Sequence, residues 1–234
     1  MEQAVYTNPN LIYWVLFIGV ALASWIVSSV MESRMKRYAK VPLKLTGKEV
    51  AEKMLRENGI TDVKVTCVKG HLTDHYNPAN KTVNLSESVY NQANVAAAAV
   101  AAHECGHAVQ HAKAYGPLKL RTALVPAVNF ANTWMMWVLL AGILLVEVFP
   151  YLLLGGICLF AMTTLFAFIT LPVEVNASQR AVNWLQESDI TDRETTEMAS
   201  SALHSAAYTY VVAALSSLAT LVYYILIFLG GRRD

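Results

Sequence analysis

The chain has 234 residues, of which 55% are hydrophobic and only 15% are charged, and its formal net charge is +1. This composition argues against an ordinary water-soluble protein, and the small net charge lacks the basic footprint that nucleic-acid binding requires. The hydrophobic residues gather in four long stretches with the charged residues between them. That segregation predicts membrane spans separated by polar segments.

The first stretch, residues 11–30, has no charged residue and is long enough to cross roughly 30 Å of hydrocarbon as a helix. A cleaved signal peptide is the alternative, but the preceding ten residues contain no lysine or arginine and the apolar run is too long. Basic residues follow this stretch: Arg34, Lys36, Arg37, Lys40, Lys44 and Lys48. By the positive-inside rule we expect a permanent anchor with the next polar segment in the cytoplasm.

The polar segment after the first span has the pattern of a small α+β domain. Thr46 is a helix-capping residue, and the helix that follows it is predicted to end at Gly59. Residues 63–68 alternate like a strand, and two further short runs on either side of the turn sequence NPAN predict a hairpin, 72–76 and 81–85. From about residue 88 to 112, an alanine-rich sequence predicts one long helix.

This alanine-rich helix contains His103-Glu104-Cys105-Gly106-His107, which matches the HExxH pattern. Because residues four apart share a helix face, both imidazoles can bind one zinc ion, and Glu104 can reach a water molecule as a general base. Gly106 leaves room for another helix to pack closely. A surface helix with two stacked histidines is the simpler alternative, but nothing in the surrounding run explains them as core packing.

A catalytic zinc site usually has a third protein ligand, and two residues are candidates. His111 continues the stripe, but it lies about 12 Å along the helix from His103, too far for a shared ion. Glu174 follows the third apolar stretch, where a charged side chain is costly unless it is paired or coordinates a metal. We therefore expect Glu174 to complete a site for one Zn²⁺ per chain; an interfacial glutamate that faces water is the alternative.

The second and third apolar stretches, 124–146 and 148–171, predict a tight transmembrane hairpin, and 207–229 predicts a fourth span. Pro172 predicts a kink or a new helix start after the hairpin. Four spans place the C-terminus outside, although Arg232 and Arg233 count against that orientation.

Several polar side chains are candidates for supporting roles. Asn176, Ser178 and Arg180 could orient the metal ligands, and ordinary helix surface explains them equally well. One of His204, Tyr208 and Tyr210 could stabilise an oxyanion, whereas membrane-interface anchoring is the more common role for such residues. The strand at 72–76 could bind an extended substrate along its edge, while His75 is expected to be an exposed histidine with no ligand role.

Beyond the isolated pentapeptide, HECGH with LTDHYNPANKTVNLS upstream and LPVEVNASQRA downstream resembles the YugP family of membrane zinc metallopeptidases over most of the chain. The layout is also similar to HtpX-type membrane proteases, in which an aspartate follows the ligand glutamate by four positions. Here Ser178 stands at that position, which puts carboxylate support in doubt. The resemblance implies a prokaryotic inner-membrane enzyme of the gluzincin type with Glu174 as the third ligand.

Together these observations predict a mainly α membrane protein with four transmembrane helices and a small α+β, gluzincin-like catalytic domain that carries the HExxH helix. We expect a multi-pass zinc-dependent metalloendopeptidase of the inner membrane that acts on peptides or membrane proteins at the cytoplasmic surface. Cys67, Cys105 and Cys158 lack CxxC spacing and fit that reducing compartment. The alternatives are a non-catalytic membrane scaffold with a structural zinc and an intramembrane site-2-type protease.

The predicted segments follow in chain order. They are an N-terminal tail with the first transmembrane helix (1–30), a cytoplasmic zinc-peptidase domain (31–123), a transmembrane hairpin (124–171), a helical segment with the third zinc ligand (172–206), and a fourth transmembrane helix with a C-terminal tail (207–234).

Overall fold

The structure, a computed structural model, describes the backbone of residues 9–230 and the side chains from Trp14 onward. It is mostly helical and contains one small sheet. The helices are α1 (Pro9–Tyr38), α2 (Gly47–Glu57), α3 (Glu87–Tyr90), α4 (Val95–Ala112), α5 (Gly116–Leu144), α6 (Pro150–Glu187) and α7 (Arg193–Gly230). The strands are β1 (Lys64–Val68), β2 (His75–Asn77) and β3 (Thr82–Ser86).

Among the residues that the structure describes, four helices are long and apolar enough to cross a membrane, as the sequence predicted. They are Trp14–Tyr38, Gly116–Leu144, Pro150–Glu187 and Arg193–Gly230. Proline is favoured at the first position of a helix, where its missing N–H leaves no bond unmade, and Pro150 occupies that position in α6. The connection between α5 and α6 is short, because α5 ends at Leu144 and α6 begins at Pro150.

The chain divides into two compact units, and α1, α5, α6 and α7 each contribute residues to both. One unit holds the chain up to Val27, Leu124–Phe168 and the chain from Tyr210 onward. The other holds Ser28–Ala123 and Ile169–Thr209. Within the first unit, glycines let α5 and α6 approach closely: a Cβ on Gly142 would lie 2.5 Å from the Leu153 Cα.

The second unit is the small α+β domain. Thr46 caps α2 with a reciprocal capping box that involves Glu49, which satisfies two backbone N–H groups at the helix start. The sheet has the order β1-β3-β2, with β3 parallel to β1 and antiparallel to β2. The predicted strand and hairpin are thus confirmed, and β2 lies at an edge of the sheet.

One local prediction is wrong, and one of the two alternatives predicted at Pro172 is excluded. The helix predicted over residues 88–112 is two helices, because the Asn94 side chain accepts a hydrogen bond from the Ala97 N–H and so caps a separate α4. Pro172 does not start a new helix: α6 continues through it to Glu187. A single missing N–H is tolerated in a long helix of this kind when neighbouring helices support the backbone.

A close approach between α4 and α6 brings the HExxH turn against the helix that contains Glu174. A Cβ built on Gly106 would lie 2.6 Å from the Ala177 carbonyl oxygen and 3.1 Å from its Cα. Both neighbouring atoms belong to the backbone and cannot rotate away. Gly106 is therefore the residue that allows the two helices to touch, as its lack of a side chain predicted.

We expect Gly106→Ala to lower the free energy of unfolding by about 1–3 kcal/mol, because the added methyl group overpacks the contact between the two helices. That cost exceeds the roughly 0.5–1 kcal/mol that alanine usually gains over glycine inside a helix. Thermal unfolding of the detergent-solubilised protein measures the change. The matched control is Gly116→Ala, whose Cβ would have no atom within 4 Å; an equal loss in both variants would contradict the prediction.

Candidate metal centre

Three side chains converge where α4 meets α6. The Nε2 atoms of His103 and His107 lie 3.3 and 3.5 Å from the same oxygen, Oε2 of Glu174. All three candidate ligand atoms lie within 4.8 Å of one another. Two ligand atoms that are each about 2.0–2.1 Å from a tetrahedral zinc ion are separated by about 3.3–3.4 Å. The two imidazole-to-carboxylate separations therefore fit a zinc ion, and the donor set of two imidazoles and a carboxylate suits it.

The other nitrogen of each imidazole has its own partner. His103 Nδ1 lies 3.1 Å from Ser178 Oγ, and His107 Nδ1 lies 3.1 Å from Gln110 Oε1. Since an amide oxygen only accepts hydrogen bonds, His107 Nδ1 must carry the proton. That tautomer leaves the lone pair of His107 on Nε2, toward Glu174, as a metal ligand requires.

Gln110 is fully buried and organises this corner of the site. Its amide nitrogen donates to the Val173 carbonyl oxygen at 2.8 Å and to Asn176 Oδ1 at 3.0 Å. Both partners are acceptors, so the amide oxygen has to face His107. The Arg180 guanidinium donates to the same Asn176 oxygen at 2.8 Å.

Sequence reasoning missed Gln110, although it named Asn176, Ser178 and Arg180 as candidate supports. A signal was present: Gln110 follows Gly106 by four positions, so it lies on the helix face that Gly106 presents to α6. A polar residue on a face marked for close helix packing needs a buried partner.

Charge and burial at this centre shift the pKa values of His107 and Cys105. Burial lowers the pKa of His107, but the Glu174 carboxylate, the Glu104 charge and the hydrogen bond to Gln110 together raise it by more, so the net shift is upward. Binding a metal at His107 must therefore displace a proton from a more basic imidazole than usual. Burial raises the pKa of the Cys105 thiol, whose Sγ lies 3.6 Å from the Ala51 carbonyl oxygen. Cys105 thus stays protonated and takes no part in the ligand set.

Glu104 is buried next to the ligands, and its Oε2 accepts a hydrogen bond of 2.9 Å from the backbone N–H of Tyr76 in β2. The Tyr76 hydroxyl lies 2.8 Å from His111 Nδ1. Through these two contacts, β2 packs along the face of α4 that carries the HExxH residues. His111 is exposed and paired with Tyr76, and it is outside the ligand cluster, as helix rise predicted.

The remaining predicted residues occupy different surroundings. His204 is exposed, with Nδ1 2.8 Å from the Ser200 carbonyl oxygen, and it lines a cavity of about 170 Å³ that also contains Ser178. Tyr210 belongs to the other compact unit, and its role stays a prediction. His75 is exposed, and its ring contacts the Thr73 carbonyl oxygen.

Comparison with known proteins identifies the family of this chain. A family model described as "Putative neutral zinc metallopeptidase" matches residues 13–229. A protein of Bacillus subtilis (strain 168) named "Putative membrane protease YugP" is 41% identical over 225 residues, which cover 94% of this chain and 98% of that protein. No solved structure matches the chain. The resemblance seen in the sequence is confirmed, and this chain belongs to the YugP family, which carries the description "Putative neutral zinc metallopeptidase".

Proposed function

We propose that this protein is a membrane-embedded zinc-dependent endopeptidase in which His103, His107 and Glu174 hold one Zn²⁺ and Glu104 is the general base. The observation that carries the proposal is the convergence of three candidate ligand atoms from two helices, with both imidazole-to-carboxylate separations suited to tetrahedral zinc. The hydrogen bonds on both Nδ1 atoms support it, because they aim each Nε2 at the same point. Membership of a zinc metallopeptidase family is consistent with this role.

The residues of the chain divide the chemistry between them. A zinc ion in this site would act as a Lewis acid that polarises the scissile carbonyl and makes water more acidic. The Tyr76 N–H fixes the orientation of the Glu104 carboxylate, which takes a proton from the attacking water. As the water oxygen bonds to the carbonyl carbon and the C–N bond breaks, Glu104 returns that proton to the leaving amine.

The edge strand β2 is the proposed guide for the substrate. The Tyr76 N–H is directed to Glu104 and not to β3, so this side of the strand faces the site. Because that N–H is already bonded to Glu104, an extended peptide would pair with this edge through a backbone carbonyl oxygen of the strand, a bond that does not depend on the peptide sequence. Such pairing would hold the scissile bond beside Glu104, and we infer that peptides or unfolded segments of membrane proteins are the substrates.

His204 is the proposed oxyanion partner. His204 and Ser178 line the same cavity. Ser178 in turn contacts the candidate ligand His103, so the cavity connects His204 with the metal centre. With Nδ1 bonded to the Ser200 carbonyl oxygen, Nε2 carries a proton only in the charged imidazolium form. His204 would therefore stabilise an oxyanion as a cation.

The two alternative functions are less well supported. A structural zinc is usually closed by four protein ligands, whereas three His, Cys, Asp or Glu side chains gather at this centre within the described part of the chain. An intramembrane protease carries its HExxH motif in a span, whereas α4 is absent from the four candidate spans found among the described residues. Catalysis at the membrane surface fits both observations.

We further propose that the protein is a multi-pass protein of the inner membrane with its site facing the cytoplasm. The support is the run of basic residues that follows the first apolar stretch, since such residues are retained on the cytoplasmic side. The lipid bilayer is then the immediate partner of the four apolar helices.

Replacing the third ligand tests the metal site. Glu174→Gln keeps the shape of the side chain but removes its charge, so zinc affinity should fall by more than the roughly 10–100-fold that is typical of losing an outer-shell partner. Zinc titration of the purified full-length protein measures this. Glu187→Gln, at the exposed end of the same helix, should keep wild-type affinity. Equal affinities in both variants would remove Glu174 from the ligand set.

Replacing the general base tests the mechanism. Glu104→Gln should retain stoichiometric zinc, while kcat for a peptide substrate falls by about 10²–10⁴-fold, because an amide cannot accept the proton of the attacking water. Metal analysis and cleavage of a quenched fluorescent peptide on one preparation separate the two effects. Cleavage at the wild-type rate by the zinc-loaded variant would show that another group is the base.

The orientation can be read from Cys67, an exposed residue of β1 in the α+β unit. We expect a membrane-impermeant maleimide to leave Cys67 unlabelled in intact cells and to label it after permeabilisation. Because Cys158 is also exposed, the Cys67→Ser variant supplies the background. Labelling of Cys67 in intact cells would invert the proposed topology.

A further inference from the structure

One face of α4 extends beyond the metal centre. At about 100° per residue, Val100 and the HExxH residues His103, Glu104 and His107 point in similar directions. An open cavity of about 170 Å³ adjoins the N-terminal part of this face, where Ala96, Ala97 and Val100 line it. The cavity thus begins one helical turn before the first metal ligand.

The walls of this cavity are mostly apolar and come from several elements of the α+β unit. The side chains that give it this character are Met31 and Met35 of α1, Leu72 of the loop before β2, Val89 of α3, and Val100. Two of its acidic members are already paired: Glu32 with Lys36 in an exposed ion pair, and Asp74 with the Ser86 N–H and hydroxyl. His71 also lines the cavity. A ligand there would therefore meet mostly hydrocarbon and sulfur.

We propose that this cavity is the specificity pocket of the peptidase and takes a large apolar side chain, of the size of leucine, methionine or phenylalanine. The inference rests on the proposed function. An apolar cavity of about 150 Å³ is enough to hold a benzene ring, so the measured volume suits such a group. The two methionines adapt their shape readily, which fits a pocket that accepts several apolar side chains.

The edge strand connects this pocket with the catalytic residues. Asp74 lines the cavity, and two residues later the Tyr76 N–H reaches Glu104. A peptide that pairs along β2 would therefore pass both the cavity and Glu104. Val100 lies about 5–6 Å along α4 from Glu104, whereas an extended peptide advances about 3.3 Å per residue. The pocket consequently receives a residue one or two positions from the scissile bond.

A lipid acyl chain is the competing occupant, because α1 is also a candidate membrane span. The peptide is favoured by the position of the cavity on the same helix face as the metal ligands and beside the strand that contacts Glu104. A lipid site would have no reason to adjoin either feature.

The test uses the zinc-loaded full-length protein and a peptide series with alanine or leucine at each of the four positions around the cleaved bond. At one position, kcat/KM should favour leucine by about tenfold or more, the usual discrimination of an apolar pocket. Val100→Phe fills the cavity and should remove most of that preference, read as the ratio of kcat/KM for the leucine and alanine peptides within that variant. Met35→Ala enlarges the cavity and should shift the preference toward phenylalanine.

The matched control is Val63→Phe, which lies in a separate surface cavity between α2 and β1 and should keep the wild-type preference. If the peptides are cleaved but Val100→Phe and Met35→Ala leave the leucine-to-alanine ratio unchanged, the pocket proposal is overturned. A cavity that holds a lipid would give this same unchanged ratio. If the zinc-loaded wild type cleaves no peptide in the series, the proposed function itself fails. The alanine peptide reports folding of each variant independently of the pocket.

Discussion

The close contact between α4 and α6 at Gly106 is the constraint on which the site depends. Gly106 lies within the turn between His103 and His107, and it meets the α6 backbone at Ala177, one turn after Glu174. Helix axes usually stay 8–10 Å apart, at a distance set by the side chains between them, so small residues at the contact allow the closest approach. That approach lets a short carboxylate side chain reach both imidazoles.

Buried hydrogen bonds then select one arrangement of the groups around that contact. Gln110 is removed from solvent and needs partners for both ends of its amide, which His107, Val173 and Asn176 provide. Rotating the amide or sliding the helices would leave buried polar atoms unpaired, at a cost of about 1–3 kcal/mol for each group. The same bonds that satisfy Gln110 therefore set the tautomer and direction of His107.

A single face of α4 brings together three elements that the proposed chemistry uses. Its N-terminal part borders the apolar cavity, its centre carries the two candidate metal-binding histidines and Glu104, and its C-terminal part holds His111 against Tyr76. Strand β2 crosses this face and contacts it through both the backbone and the side chain of Tyr76. Binding, water activation and selection of a side chain can thus occur along one line.

Much of this protein is determined by its sequence alone, because the relevant patterns are local. Apolar length predicts the four long helices, alternation predicts the strands, and the spacing of His103 and His107 places both on one face. The same helical rise excludes His111. Glu174 was predicted from the cost of an unpaired charged side chain at the membrane boundary and from the family resemblance. The structure places it beside the two histidines. The single helix predicted over 88–112 was wrong because the Asn94 side chain caps a separate α4. A new helix start at Pro172 was wrong because neighbouring helices can support a continuous backbone there.

Only the tertiary structure decided the partners of those local elements. Gln110 bonds to residues 63 and 66 positions away, and Ser178 reaches His103 across 75 positions. The Tyr76–Glu104 bond and the cavity that α1 shares with α4 likewise join segments that are distant in sequence. Periodicity reports which face of a helix is apolar, but the register between two helices is set by how their side chains interlock. That register is a property of both helices together, and no local pattern in either of them contains it.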